Sequence, residues 1–378
     1  MKANMSGFDL RAIVGELNQY VGAYVKKSYM PHYEQIVLRI NPKSTNQFDL
    51  VIVRGSRVYT SNRDRPMPQT PPPFAMILRK YLKNARMTAV RQLGFDRVLA
   101  IDFDTKFGIM HLYIEVFREG NIILVDSDGI IIQPLTHAKY SERILKKGVQ
   151  YSPPPPATDP HDLDATALQE IFANSERDLV ATLGGKANLG GTHANAVCAL
   201  AELEPNSDTK SVDVSKVHRA LSGLLDGLAN AAQGYLILAP EEGQSISELQ
   251  SIADQQVEGG ERDKFLLKYA IEASPTLLPA HSDKVIMQFK QLCQAVDAWR
   301  GAHDAGALAR REAEKLDVAA PGRGFSTEVE KLERRQAQQE KALESFAKKI
   351  AKQQMIGHTI QNNWSHVENL LNQVKESV

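Results

Sequence analysis

The segment RPMPQTPPPFAMILRKYLKNARMTAVRQLGFDRVLAIDFD, residues 65 to 104, packs an extended turn, a cationic helix and a strand into one short stretch. Pro71, Pro72 and Pro73 hold the chain extended and cannot continue a helix, so a helix can begin only after them. The spacing predicts that helix from about Phe74 to Arg86. Phe74, Ile77, Leu78, Tyr81 and Leu82 recur at the i, i+3, i+4 interval of one buried face, and Arg79, Lys80, Lys83 and Arg86 occupy the rest. After Met87 the pattern changes to alternation, which predicts a strand near residues 95 to 103. Phe95, Arg97, Leu99, Ile101 and Phe103 fall on one side, and Asp96, Val98, Ala100 and Asp102 on the other. Asp96 and Arg97 therefore point to opposite faces at the entrance of the strand, just after Gly94.

Four blocks in this order, a proline-rich turn, PPPFAMILRKYL, GFDRVLAIDF and IEVFREGNIILVD at 114 to 126, resemble the N-terminal domain of the NFACT family (RqcH in bacteria, NEMF in eukaryotes, formerly labelled fibronectin-binding protein A). Any one block alone is weak; their order and spacing carry the match. The resemblance implies a ribosome-associated quality-control factor that holds a transfer RNA on an obstructed large ribosomal subunit. The ribosome's own catalytic centre then adds C-terminal residues, alanine in bacteria and archaea, without mRNA. It also implies an N-terminal sheet sandwich similar to that of formamidopyrimidine-type DNA glycosylases. Met1, Lys2 and Ala3 offer neither the proline amine nor the following Glu of those enzymes, so their chemistry is not implied.

By the same resemblance Asp9, Asp96 and Arg97 match the family's tRNA-handling residues, and the Asp-Arg pair is intact. An Arg presents a planar fork to a phosphate or base edge, while an acid accepts from a base amino group or a 2′-hydroxyl. The residues alone fit a second reading, an internal ion pair from Asp9 to Arg97 tying the first helix to the strand. Arg79, Lys80, Lys83 and Arg86 are phosphate-contact candidates, or simply a solvated face.

The chain has 378 residues, enough for two or three domains, and its 45 basic residues balance 45 acidic ones. The balance conceals a division. Residues 1 to 150 carry 22 Lys and Arg against 13 Asp and Glu, a net of +9; residues 151 to 325 carry 15 against 25, a net of −10. Such a division points the first domain towards a polyanion, or towards an acidic neighbouring domain. Cys198 and Cys293 stand far apart inside helical apolar patterns, which supports neither a disulfide framework nor a cysteine metal site and predicts core positions. The N-terminus lacks the apolar run of a signal peptide, and no segment approaches a membrane span, so a cytoplasmic protein without membrane contact is expected.

Along the chain, Ser6 to Tyr20 reads as an amphipathic helix with Leu10, Ile13, Val14 and Leu17 on one face and Asp9 in its first turn. Alternating segments at 21 to 31, 35 to 41, 48 to 54, 58 to 61, 109 to 117 and 121 to 133 complete an α+β first domain, 1 to 150, dominated by antiparallel strands. YSPPPPATDP, 151 to 160, reads as an extended linker that keeps two domains apart. Beyond it, 161 to 235 reads as a helical domain in which LGGKANLGGTHANAVCALAEL, 183 to 203, resembles a helix-hairpin-helix. Gly190 and Gly191 permit its tight turn, and the amides that follow are candidates to hold a phosphate; a plain helix connector fits equally. A short extended piece at 235 to 240 opens a helical connector to 325.

From Ser326 a heptad repeat begins. Val329, Leu343, Ile350, Trp364, Leu371 and Val378 at a, with Leu332, Phe346, Ile360, Val367 and Val374 at d, make eleven of 15 seam positions apolar, enough to predict a coiled-coil helix over 326 to 378. The stripe is still in phase at Val378, so a truncated chain is expected. The resemblance implies that an antiparallel return helix and an RNA-binding domain follow, and self-association is expected where no return helix covers the stripe.

No catalytic constellation appears. The 10 His show no ligand spacing, and no nucleophile elbow or phosphate loop occurs, so neither an enzyme, a metal nor a cofactor is expected. The partners expected are tRNA and the rRNA of the large subunit. The alternative is an interaction scaffold, coiled-coil-mediated or adhesin-like as the fibronectin label has it; a damage-binding protein of the glycosylase type is a weaker third.

Overall fold

The computed structural model of the chain describes residues 4–308 except 44, 69, 118, 119, 230–232 and 256–258, and beyond them scattered helical positions between 336 and 373. Contacts divide the chain into two compact units, Met1–Arg310 and Arg311–Val378.

The first unit starts with helix α1 (Gly7–Asn18) and strands β1 (Tyr24–His32), β2 (Gln35–Asn41), β3 (Phe48–Val53) and β4 (Arg57–Ser61). Helix α2 (Pro73–Leu82) follows, then β5 (Arg86–Gln92), β6 (Val98–Thr105), β7 (Gly108–Glu115), β8 (Asn121–Val125) and β9 (Ile131–Pro134). All nine strands join one sheet in the order β4-β3-β2-β1-β5-β6-β7-β8-β9, with antiparallel pairing throughout. Two separate sheets were expected of a sandwich; here a thin β1–β5 pairing, Tyr24 opposite Arg86, makes one continuous sheet. A single core still takes in Ile36, Leu38 and Leu50 from one half, Leu99, Ile101 and Leu112 from the other, and Leu10, Ile13, Leu78 and Leu82 from α1 and α2. Each such side chain contributes roughly 1.5 to 3 kcal/mol on leaving water.

The expected helix to Arg86 stops four residues early. Lys83 turns extended (ψ 123°) and Asn84 adopts φ 60°, a left-handed conformation that Asn tolerates better than most residues. Arg86 therefore belongs to β5. That strand escapes an alternation test because a bulge between Met87 and Ala89 puts Met87 and Val90 on the buried side out of period. Phe95, Asp96 and Arg97 precede β6 instead of starting it. They lie in the β5–β6 hairpin turn, where the Leu93 amide donates to the Val98 carbonyl at 3.0 Å and Gly94 takes φ 56°.

After a two-stranded ribbon, β10 (Ala138–Lys139) with β11 (Ile144–Leu145), residues 151–159 form neither helix nor strand. They do not hold two bodies apart. Helices α3 (Ala165–Ala173), α4 (Leu179–Gly185), α5 (Gly190–Leu200) and α6 (Val214–Ala229) bury Leu168, Phe172, Leu183 and Val197 in a second core that also contains Phe8 of α1 and Phe95 of the hairpin turn.

The segment expected as a helical connector contains a three-stranded sheet. β12 (Gly234–Leu238) lies between β13 (Ala270–Ser274) and β14 (Val285–Phe289), with α7 (Ile246–Asp254), α8 (Gly259–Tyr269) and α9 (Leu292–Val296) around it. This part is clamped to the first sheet. Glu16 of α1 accepts from the amides of Leu292 and, at 2.9 Å, Cys293, and Arg63 grips Asp263 through both terminal guanidinium nitrogens at 2.8 and 2.9 Å. Cys198 and Cys293 are both buried and unbridged.

In the second unit the described apolar seam residues Leu343, Ile350, Ile360 and Trp364 are helical and exposed, and Val367 is helical and half-buried. Val329, Leu332, Phe346, Leu371, Val374 and Val378 lie outside the described residues.

Candidate nucleic-acid interface

Asp9 apart, the residues singled out in the sequence separate into two groups at opposite ends of β6. That strand is eight residues long, so the ends stand about 25 Å apart at a rise of ~3.3 Å per residue.

At the first end sits the turn Leu93–Arg97. Gly7 of α1 packs so closely against it that a Cβ there would come within 2.8 Å of the Phe95 carbonyl oxygen. Gln92 straps the two together, its Nε2 donating to the Gly7 carbonyl at 3.0 Å and to the Asp96 carbonyl at 2.8 Å. Phe95 points into the second core and meets Phe8 edge-on at 4.8 Å. Phe8 in turn stacks on His193 of α5, centroids 3.8 Å apart and planes at 12°. The turn is thus held from three sides, by α1, by β5 and by the helical part.

On this base Asp96 and Arg97 are half-buried. The Asp96 carboxylate accepts from the Arg97 amide at 2.6 Å, which fixes the acid across the turn. The Arg97 guanidinium has no hydrogen-bond or ion-pair partner among the described residues. An unpaired guanidinium on a rigid turn keeps five donors available for a phosphate or a base edge.

Asp9 is placed elsewhere. It is 2% exposed and closes a capping box with Ser6, accepting from the Ser6 amide at 2.7 Å and hydroxyl at 2.8 Å. It also lines a cavity with Arg57, Trp299 and Arg300. An ion pair from Asp9 to Arg97, the alternative left open by the sequence, does not form.

Gly190 and Gly191 join the Arg97 end. Asn188, with φ 58°, donates from Nδ2 to the Phe95 carbonyl at 3.3 Å and to the Thr158 carbonyl at 2.9 Å, which brings the α4–α5 turn against the Asp96–Arg97 turn. Gly190, Gly191 and Thr192 are exposed, and α5 has Leu189 as its N-cap residue with no side-chain cap, so no capping side chain occupies its first amides.

At the far end are Lys80 and Lys83 of α2 and its exit and Arg86 of β5, all exposed. Arg79 differs. Its Nε donates to the Ser28 carbonyl at 2.8 Å and its guanidinium lies over the Tyr29 ring at 5.4 Å, which ties α2 to β1.

Beneath the first group runs a buried ion pair. Arg143 forks onto Glu115, which Tyr151 also reaches at 3.4 Å. Burial pushes the Glu115 carboxyl up, against the pull of Arg143, and the nearby Asp96 charge adds to that rise.

Sequence reasoning missed Phe8, Gln92, Asn188 and His193, which position the turn. Their common role is a contact between segments far apart in the chain, for which periodicity carries no signal; only Asn188, before a glycine pair, bears a turn signature.

The family described as NFACT N-terminal and middle domains matches residues 6–375. This chain belongs to that family. Among its relatives, the archaeal Rqc2 homolog aRqcH of Methanocaldococcus jannaschii is 26% identical over 389 residues, covering 100% of this chain and 53% of its own length. The ribosome quality control complex subunit NEMF of Homo sapiens is 25% identical over 392 residues, covering 100% of this chain and 34% of that protein. The Rqc2 homolog RqcH of Streptococcus suis is 31% identical over 188 residues, 46% of this chain. The chain thus spans about half of the archaeal relative and a third of the human one. Two solved structures share the fold: the N-terminal part of the fibronectin/fibrinogen-binding protein of Streptococcus suis (TM-score 0.55, 23% identity, 78% of this chain and 98% of that one) and the fibrinogen-binding protein of Staphylococcus aureus (TM-score 0.57, 17% identity, 77% and 97%). The four sequence blocks that pointed to the NFACT family were sufficient to identify it.

Proposed function

We propose that this chain is the N-terminal and middle portion of a ribosome quality-control factor. It binds obstructed large ribosomal subunits and recruits aminoacyl-tRNA, alanyl-tRNA in the first instance, for mRNA-independent C-terminal tailing of stalled chains. The reading rests on family membership along the whole chain, with relatives named as ribosome quality-control proteins. The structural observation that supports it is the Arg97 guanidinium, without a partner among the described residues, on a turn braced from three sides.

In this account Arg97 supplies the fork that contacts tRNA, and Asp96 orders the turn and accepts from a base or ribose donor. Asp9 acts through α1, whose start it caps and on which the turn is seated. The open amides at Gly190 and Gly191 hold a neighbouring phosphate. Lys80, Lys83 and Arg86 contribute phosphate contacts from the far end, and Arg79 a smaller share because its guanidinium is already engaged. The ribosome supplies the catalysis. No observation favours the scaffold or adhesin reading: the two similar structures so titled fall below 25% identity and share a fold with this chain.

The test is to purify the tagged chain from cells with stalled translation and sequence the RNA that accompanies it. Enrichment of a tRNA together with large-subunit rRNA is expected; recovery of neither overturns the reading.

A further inference from the structure

We propose that Tyr81 and Phe107 form a stacking platform for an unpaired base of a single-stranded RNA segment, at the end of β6 away from Arg97. The inference rests on the RNA-binding reading above and assigns it a second point of contact.

Phe107 tips the β6–β7 hairpin and is 44% exposed, a costly place for a phenyl ring that serves no core. The turn that carries it is fixed. Thr105 Oγ1 accepts from the Phe107 amide at 3.0 Å and donates to the Gly108 carbonyl at 2.8 Å, and Gly108 takes φ 95°, a conformation open to glycine. Tyr81, anchored on its inner side in the core below α2, lies with its centroid 5.1 Å from that of Phe107. The two rings are tilted by 53° and make a shallow aromatic corner.

Cations surround it. Lys80 Nζ lies 4.9 Å from the Tyr81 centroid and Lys106 Nζ 4.9 Å from the Phe107 centroid. Lys83 and Arg86 stand exposed nearby, and among the described residues none of these four has a carboxylate partner. The acid at this end, Asp104, is opposite Arg86 in the β5–β6 register.

Rings for a base and ammonium groups for the phosphates on either side of it are the two components of single-strand recognition. A duplex keeps its bases stacked inside and cannot use the rings, so an unpaired segment is the occupant that this chemistry selects. On binding, the base displaces the two ammonium groups from the ring faces, and they move onto the flanking phosphates. Both the Arg97 end and this end then engage one RNA across about 25 Å, the length of an eight-residue strand.

The test uses the 378-residue chain and a single-stranded oligoribonucleotide carrying 2-aminopurine, whose fluorescence falls when it stacks on an aromatic ring. Wild type is expected to bind with quenching, Phe107→Ala to bind roughly tenfold or more weakly with the quenching lost, and Phe107→Tyr to restore both. Arg97→Ala is expected to keep the quenching in its bound fraction. Phe107→Ala with wild-type affinity and quenching overturns the platform while leaving RNA binding in place. A wild-type chain that binds neither this oligonucleotide nor tRNA overturns both this inference and the function it rests on.

Discussion

The ring of Phe8 on the first helix stacks on that of His193 at 3.8 Å and 12°, and this contact seats the helical part of the chain against the Asp96–Arg97 turn. Both residues are 2% exposed. Truncation to His193→Ala leaves a cavity beside Phe8 and is expected to cost roughly 2 to 4 kcal/mol of stability, read as a lowered melting temperature. His193→Phe keeps a ring in place and is expected to recover part of the loss. A silent His193→Ala would mean that the stack does not hold the two parts together.

Gly7 lies where a single methyl group has nowhere to go. A Cβ 2.8 Å from the Phe95 carbonyl oxygen forces either α1 or the turn to move. Gly7→Ala is expected to destabilise by roughly 1 to 3 kcal/mol and to weaken tRNA binding by displacing Arg97. Gly15→Ala, on the same helix with open space around it, serves as the control and should do neither.

Buried and presented arginines separate in the same assay. Glu115→Ala strands the Arg143 guanidinium in a buried site and is expected to cost roughly 3 to 5 kcal/mol. Arg97→Ala removes no hydrogen bond or ion pair among the described residues and is expected to stay within about 0.5 kcal/mol of wild type. Thermal unfolding of the two variants side by side checks this, and an Arg97→Ala loss as large as that of Glu115→Ala would make Arg97 a structural residue.

Much of the fold is legible in the sequence, and the failures have physical causes. Val98 to Phe103 and Gln35 to Asn41 announce strands through β-branched, apolar composition, and the prolines at 71 to 73 set the start of α2. β5 is hidden because its bulge breaks the two-residue period. The end of α2 is hidden because Asn84, in a left-handed turn, follows residues that a helix would also accept. The proline-rich segment 151 to 160 reads as a boundary, yet Phe8 and Phe95 cross it to share a core with α3 to α6, an outcome of long-range packing. For the site, Asp96 and Arg97 are legible through the family motif. That Arg97 has no partner among the described residues while Asp9 is enclosed follows from the three-dimensional arrangement alone.

Glu16 offers a pH test. Burial raises its carboxyl above the ordinary 4.5, outweighing the amides of Cys293 and Leu292 that pull it down. The folded state therefore holds this proton to a higher pH than the unfolded state does. Its contribution to stability grows as pH falls from neutral through the raised value and levels off below 4.5. Relative to Glu16→Gln, which has no proton to bind there, wild type is expected to gain melting temperature on acidification over that window. A difference that stays constant or shrinks would contradict the assignment.

The measurement that bears most directly on the account is the affinity of the Arg97→Ala and Arg97→Lys variants for tRNA, taken together with their melting temperatures. Arg97→Ala is predicted to weaken binding by roughly 1 to 3 kcal/mol at an unchanged melting temperature. Arg97→Lys should restore it incompletely, because an ammonium cannot reproduce the guanidinium fork. Wild-type tRNA affinity in folded Arg97→Ala, or a melting temperature lowered as far as in Glu115→Ala, would contradict the role assigned to this turn.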